Sequence, residues 1–186
     1  MSRRSEYKPG PAHGAQVEKD GASWALVIVR EFRHAPEHVW AALTDPGQLR
    51  EWAPFDANQS LGQAGAVVSL STLGAPTPIV SETTITRADG HVLEYAWGGN
   101  AMRWELEPAG RGTRLTLWHR IDRGFIAWGA AGWHICFDVL AHALDGQPIG
   151  RIIAAEAMAF DWPRLNAEYS AQFGIEVQTF RGVGAS

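Results

Sequence analysis

Two histidines and one aspartate carry most of the chemistry this sequence can offer. His134 and Asp138 stand four residues apart in the run Gly132 to Gly146, GWHICFDVLAHALDG, and on a helix that spacing puts them on one side. A carboxylate beside an imidazole holds one tautomer and raises the ring's basicity, so the pair suits general-base work inside a cavity. His119 joins them from the run Thr113 to Ile121, where alternation puts it on the face shared by Leu115, Leu117 and Ile121. The plainer alternative puts His134 and Asp138 on a rim, bonded to backbone or water, and makes His119 a satisfied core histidine. His142 extends the helical stripe, and together with His119, His134 and Asp138 it offers ligand types that a metal accepts. A solvated face explains the stripe better, and no metal is expected. Cys136 is the only cysteine, which excludes an internal disulfide framework and a cysteine-rich zinc module and leaves an inert core thiol, pointing away from the histidine pair. No GxSxG elbow and no glycine-rich phosphate loop is present, so no cofactor is expected.

These side chains need elements to hold them. Residues 24–33, WALVIVREFR, read as a strand, and Pro36 then fixes its own φ, lacks an N–H and opens a helix carrying Val39, Trp40 and Leu43. Asp45 followed by Pro46 repeats the start signal, and a second short helix ends near Trp52. Helices this short must be held by packing, so Trp40 and Trp52 are expected in the core. Strands follow at residues 66–72, 79–87, 91–97, 101–107 and 113–121, with hairpin turns at Asp89-Gly90, Gly98 to Asn100 and Gly110 to Gly112. Leu93, Tyr95 and Trp97 share one face, as do Met102, Trp104 and Leu106, giving a bulky aromatic sheet surface. Ile126, Ala130, Trp133, Phe137, Leu140 and Leu144 recur at helical spacing, and a long helix over 126–144 is expected to cover that surface.

The 186 residues suit one domain with a sizeable core. Residues 1–22, rich in Gly, Pro, Lys and Glu, read as a loose tail; 23–146 hold the domain, and 147–186 form a helical extension with a short tail. In that extension Trp162, Leu165, Tyr169 and Phe173 make an apolar stripe expected to pack back on the domain. Net charge is −4 with basic residues scattered, which argues against nucleic-acid binding. The N-terminus has paired arginines without an apolar run behind them, so it fails as a secretory signal, and no later stretch reads as long and apolar enough to span a bilayer. A cytoplasmic protein that does not insert into membranes is the expectation, with a homodimer left open.

The run APEHVWAALTDPGQLREW, residues 35–52, resembles the opening of the SRPBCC superfamily, the START and Bet v 1-like domains, and within it the AHSA1-like group. GTRLTLWH, Gly112 to His119, and the Trp133-His134 pair are similar to later elements of that group, so the resemblance spans roughly 24–146. It implies an α+β helix-grip fold: a curved antiparallel sheet of six or seven strands wrapped around a long helix, with two short helices after the first strand. Relatives of these types bind lipids, steroids, hormones or polyketides between helix and sheet, and some catalyse cyclisation or dehydration there. The resemblance thus implies a small hydrophobic ligand in a cavity lined by Tyr95, Trp97, Met102, Trp104, Leu117, His119, Trp133, His134, Phe137 and Asp138. The alternatives are a cyclase, dehydratase or hydrolase using His119, His134 and Asp138, and an Hsp90-related co-chaperone or interaction module. No activator residues carry over to this chain for the last.

Overall fold

A computed structural model describes residues 2–178. A first helical turn, α1 (Arg3–Glu6), precedes strands β1 (Ala15–Asp20) and β2 (Ser23–Phe32). Helices α2 (Pro36–Thr44) and α3 (Pro46–Trp52) come next, followed by β3 (Phe55–Ala57), β4 (Val67–Thr72), β5 (Ile79–Thr84), β6 (Arg87–Ala88), β7 (Val92–Trp97), β8 (Asn100–Ala109) and β9 (Gly112–Arg120). The long helix α4 (Ile126–Leu144) and the final helix α5 (Trp162–Phe173) are separated by a 3-10 segment, Ala154–Phe160. All strand pairs are antiparallel, in a six-stranded sheet ordered β1-β2-β9-β8-β7-β6 and a three-stranded sheet ordered β3-β4-β5. This α+β arrangement, a curved sheet holding one long helix, is the helix-grip fold.

The local reasons follow the sequence closely. Pro36 sits in the first turn of α2, and the Asp45 carboxylate accepts from the Gln48 amide at 3.0 Å to cap α3. Trp52 is buried and donates from Nε1 to the Ala42 carbonyl at 3.0 Å, so the indole bolts the two helices together. The turn between β7 and β8 places Gly98 and Gly99 at φ of 56° and 82°, a pair of left-handed conformations that only glycine adopts cheaply. Alternation holds along β8 and β9: Met102, Trp104, Leu106, Leu115, Leu117 and His119 are all buried, beneath α4.

Four expectations change. Residues 2–20 are not a loose tail: β1 pairs along β2 from Ala15 opposite Ile28 to Asp20 opposite Ser23, and Ala12 is buried. Composition concealed this because the segment is held by backbone pairing and by bonds to its carbonyls, not by apolar side chains. At Gly14, φ is +66° and any Cβ would meet the Val29 carbonyl and the Arg30 guanidinium at 2.8 Å, so only glycine lets the segment lie this close. The stretch expected as one strand over 79–87 breaks after Thr84, and β4 and β5 leave the main meander to pair with β3, a three-residue strand too short to read from periodicity. Finally, Arg123–Leu144 is long and apolar enough to cross a membrane by length and composition, with 22 residues and a mean hydropathy of 1.3. The fold explains that run, since α4 is the core helix and most of it is buried in the grip of the sheet. The Trp162-to-Phe173 stripe forms α5, packed against α4 through the buried Leu165 and Tyr169; the expected final tail lies largely beyond the described residues.

Candidate functional site

The centre of the space between α4 and the sheet is filled by rings. Trp104 meets Trp133 edge-on with centroids 5.4 Å apart, and Trp52 and Phe137 edge-on and at 6.1 Å each. Interlocked aromatic edges and faces of this kind are a packed core. The open volume lies beside them, toward the N-terminal half of α4. It measures about 330 Å³, at the low end of the range for ligand pockets. Trp97 from the end of β7, His119 from β9, and Trp128, Gly132, Trp133 and Cys136 from α4 form its inner wall, while Ile152, Ala157, Met158 and Trp162 close it from the C-terminal side. No side chain that lines it is an acid, a lysine or an arginine.

His119 is the main polar group in this wall. Trp133 donates from Nε1 to His119 Nδ1 at 3.0 Å, so Nδ1 is the acceptor nitrogen and the proton of the neutral ring sits on Nε2. Trp97 stacks on the imidazole with centroids 5.8 Å apart. Burial pushes the His119 pKa down to about 4, so the ring stays neutral near pH 7. Its Nε2 has no hydrogen-bond partner among the described residues and is shielded from water. Leaving such a donor unmatched costs roughly 1–3 kcal/mol. The Cys136 thiol in the same wall is pushed up to about 12 by burial and also stays neutral. Gly132 faces open space, since a Cβ built there meets nothing within 4 Å.

Helix α4 separates the three residues read as one constellation. His134 and Asp138 lie on its other flank, toward α5 and the N-terminal segment. His134 Nδ1 lies 2.7 Å from the Tyr169 hydroxyl and 3.2 Å from Arg30 Nη2; the guanidinium can only donate, which makes Nδ1 the acceptor and leaves the proton on Nε2, 3.5 Å from Asp138 Oδ2. Asp138 accepts from the Tyr7 hydroxyl at 2.7 Å. Burial and the neighbouring Arg30 charge hold the His134 pKa down at about 3, while burial raises that of Asp138. With both His134 nitrogens engaged within the fold, this cluster fastens α5 and the N-terminal segment to α4. His142 stands edge-on to Tyr7, and among the described residues no three His, Cys, Asp or Glu side chains gather as a metal site.

The cover of the pocket is itself tied down. Arg4 donates to the carbonyls of Ile149 and Gly150 at 2.8 Å and of Arg151 at 3.1 Å, and pairs with Glu156. The covering segment begins at Gly150, φ +76°, and turns at Ala154, φ +51°, and Asp161, φ +60°. Non-glycine residues rarely take such angles, and they mark the corners where this segment bends over the opening. A second hollow of about 540 Å³ lies between α2, α3 and the end of α4, but one of its polar side chains, His34, is already paired with Asp145 at 2.8 Å.

Of the ten residues read as ligand-lining, Trp97, His119 and Trp133 face the 330 Å³ pocket. Trp104, Leu117 and Phe137 are core, Tyr95 and Met102 border a separate, more open hollow of about 860 Å³ beside β1, β7 and β8, and His134 and Asp138 belong to the opposite flank of α4. Trp128, Gly132, Cys136 and Trp162 were missed. The first three sit with Trp133 on one helical face, where small residues between tryptophans signal a hollow; the spacing that turns Cys136 from His134 turns it toward His119.

The fold has close counterparts among solved structures. A protein from Bordetella parapertussis shares 27% identity over 90% of this chain and 93% of its own, with a TM-score of 0.63. A conserved protein of unknown function from Enterococcus faecalis shares 18% identity over 85% and 89%, with a TM-score of 0.65, and CalU16 from Micromonospora echinospora shares 18% over 90% and 100%, with a TM-score of 0.60. No curated protein matches the chain. The model of the polyketide cyclase / dehydrase and lipid transport family, of the SRPBCC superfamily, matches residues 23–136, well over half of the sequence, and the protein belongs to that family.

Proposed function

We propose that this protein binds a small, mostly apolar molecule in the pocket between α4, the ends of β7 and β9, and the covering segment. The observation that carries this reading is a pocket walled by four tryptophans, Trp97, Trp128, Trp133 and Trp162, with no charged side chain and one buried imidazole. Apolar walls with few polar groups are what small-molecule sites have in common, and indole faces suit a flat ring. The family description, which joins polyketide chemistry with lipid transport, supports the same theme.

Binding accounts for the site better than catalysis does. A general base needs a free lone pair within reach of substrate, and His119 has its lone pair on Nδ1, already taken by Trp133. His134 and Asp138, the other candidates, are committed on the far flank of α4. Native mass spectrometry of the purified protein tests the proposal. A small-molecule adduct on the wild type that is absent from Gly132→Leu is the expected result. An empty protein whose thermal stability no hydrophobic compound library shifts would refute it.

A further inference from the structure

One polar side chain in the pocket wall is only half used by the fold. Resting on the reading that this pocket takes the ligand, we infer that Thr72 is its specificity residue, donating its hydroxyl proton to a carbonyl-type oxygen on an otherwise apolar, uncharged ring molecule.

The strand that carries Thr72 sets where it points. Along β4, Val68, Leu70 and Thr72 share one face, and the first two are fully buried within the grip. Thr72 stands opposite Phe55 of β3, whose buried ring packs on Trp97 with centroids 5.2 Å apart, so the Thr72 side chain is turned to the same interior. Unlike Val68 and Leu70 it is only half-buried, and it lines the hollow together with Trp97.

Trp97 donates from Nε1 to Thr72 Oγ1 at 2.8 Å, which uses a lone pair and leaves the hydroxyl proton free to turn elsewhere. Among the described residues that indole is its side-chain partner, and no acceptor takes the proton. His119 offers a ligand less, with Nδ1 taken by Trp133 and Nε2 shielded, and the neutral Cys136 thiol is a weak donor. No lysine or arginine stands in the wall to hold a carboxylate, and an anion moved from water into an apolar site without a counter-charge is strongly disfavoured. The arrangement suits a neutral acceptor held from the strand side at Thr72, with apolar rings set against Trp128 and Trp162 on the helix side, whose own centroids are 4.9 Å apart.

Two bicyclic probes of similar size, 1-tetralone and tetralin, read the inference when titrated against the full chain by calorimetry or tryptophan fluorescence. The ratio of ketone to hydrocarbon affinity should fall about threefold to tenfold in Thr72→Val, the worth of one neutral hydrogen bond, and return in Thr72→Ser, which keeps a hydroxyl. The ratio isolates the ligand contact, because Thr72→Val also strips Trp97 of its acceptor and a general loosening weakens both probes alike. The carbonyl stretch of 1-tetralone bound to the wild type should also lie below its position in an alkane, a reading that needs no variant to fold. A ratio that Thr72→Val leaves unchanged or Thr72→Ser fails to restore, or an unshifted carbonyl stretch, would overturn the role of Thr72 and leave the pocket in place as a binding site. Failure of both probes to bind, or binding that Gly132→Leu does not touch, would instead overturn the pocket as the ligand site.

Discussion

The Tyr169 hydroxyl lies 2.7 Å from His134 Nδ1, a polar contact between the last helix and the central one. Arg30 and the His13 amide donate to the same oxygen at 3.1 and 3.3 Å, and the hydroxyl proton has two acceptors in reach, His134 Nδ1 and the His13 carbonyl at 3.2 Å. Tyr169→Phe removes that hydroxyl, leaves Arg30 as the partner of His134 Nδ1 in a buried place and strips the His13 carbonyl of a bond. Stability should fall by roughly 1–3 kcal/mol, seen as a lower urea midpoint with an unchanged slope. An unaltered midpoint would show that the cluster does not fasten α5.

Gly132→Leu should fill the pocket without harming the fold. The position opens on empty space, and replacing a mid-helix glycine favours the helix by up to about 1 kcal/mol. The expected outcome is a melting temperature equal to or above that of the wild type, with binding of a neutral hydrophobic probe such as tetralin lost. A variant that binds the probe as before would place the probe elsewhere.

Arg4→Ala should loosen the cover. The guanidinium holds three carbonyls and Glu156 of the segment over the pocket, while its own side chain does not line the ligand space. Probe release, followed by stopped-flow fluorescence, should quicken more than global stability falls. Equal release rates would mean that the segment stays closed without Arg4.

Acid should weaken the fold earlier than its carboxylates alone would. His119 and His134 have folded pKa values near 4 and 3, against 6.5 for free histidine, so the unfolded chain takes up protons first. The stability they contribute is complete above about pH 6.5 and is lost as the pH falls toward those folded values. Asp138, raised above 3.8, works in the opposite direction just above that value, since the fold keeps its proton longer than the unfolded chain does. Two histidines outweigh one aspartate, and urea midpoints measured between pH 7 and 4 should decline. A flat profile would contradict the neutral, buried state of both rings.

Much of the frame was legible. Helix α4 falls on the residues that periodicity marked, because its stripe is long and strongly apolar, and the proline-led starts of α2 and α3 need only local chemistry. What failed was non-local. The N-terminal segment is held by Arg30 donating to the His13 carbonyl, Arg164 to the Pro9 carbonyl and Gln172 to the Ala12 carbonyl; such bonds leave no trace in composition. The site was half legible for a similar reason. Alternation put His119 inward correctly, but helical spacing that pairs His134 with Asp138 says nothing about which flank of α4 faces the hollow. Trp162 was read as packing and became a wall because the covering segment turns at Asp161.

The strap formed by residues 4–13 also has a meaning in time. Many of its partners lie at 149–172, so bonds such as Ala12 N–H to Glu168 at 2.9 Å join parts of the chain that leave the ribosome far apart in time. A nascent chain makes the sheet's early strands first, yet the clasp over the tryptophan-lined hollow must wait for the final helix. Until then the hollow lacks Trp162 and its cover, so the pocket is the last part of the fold to be completed.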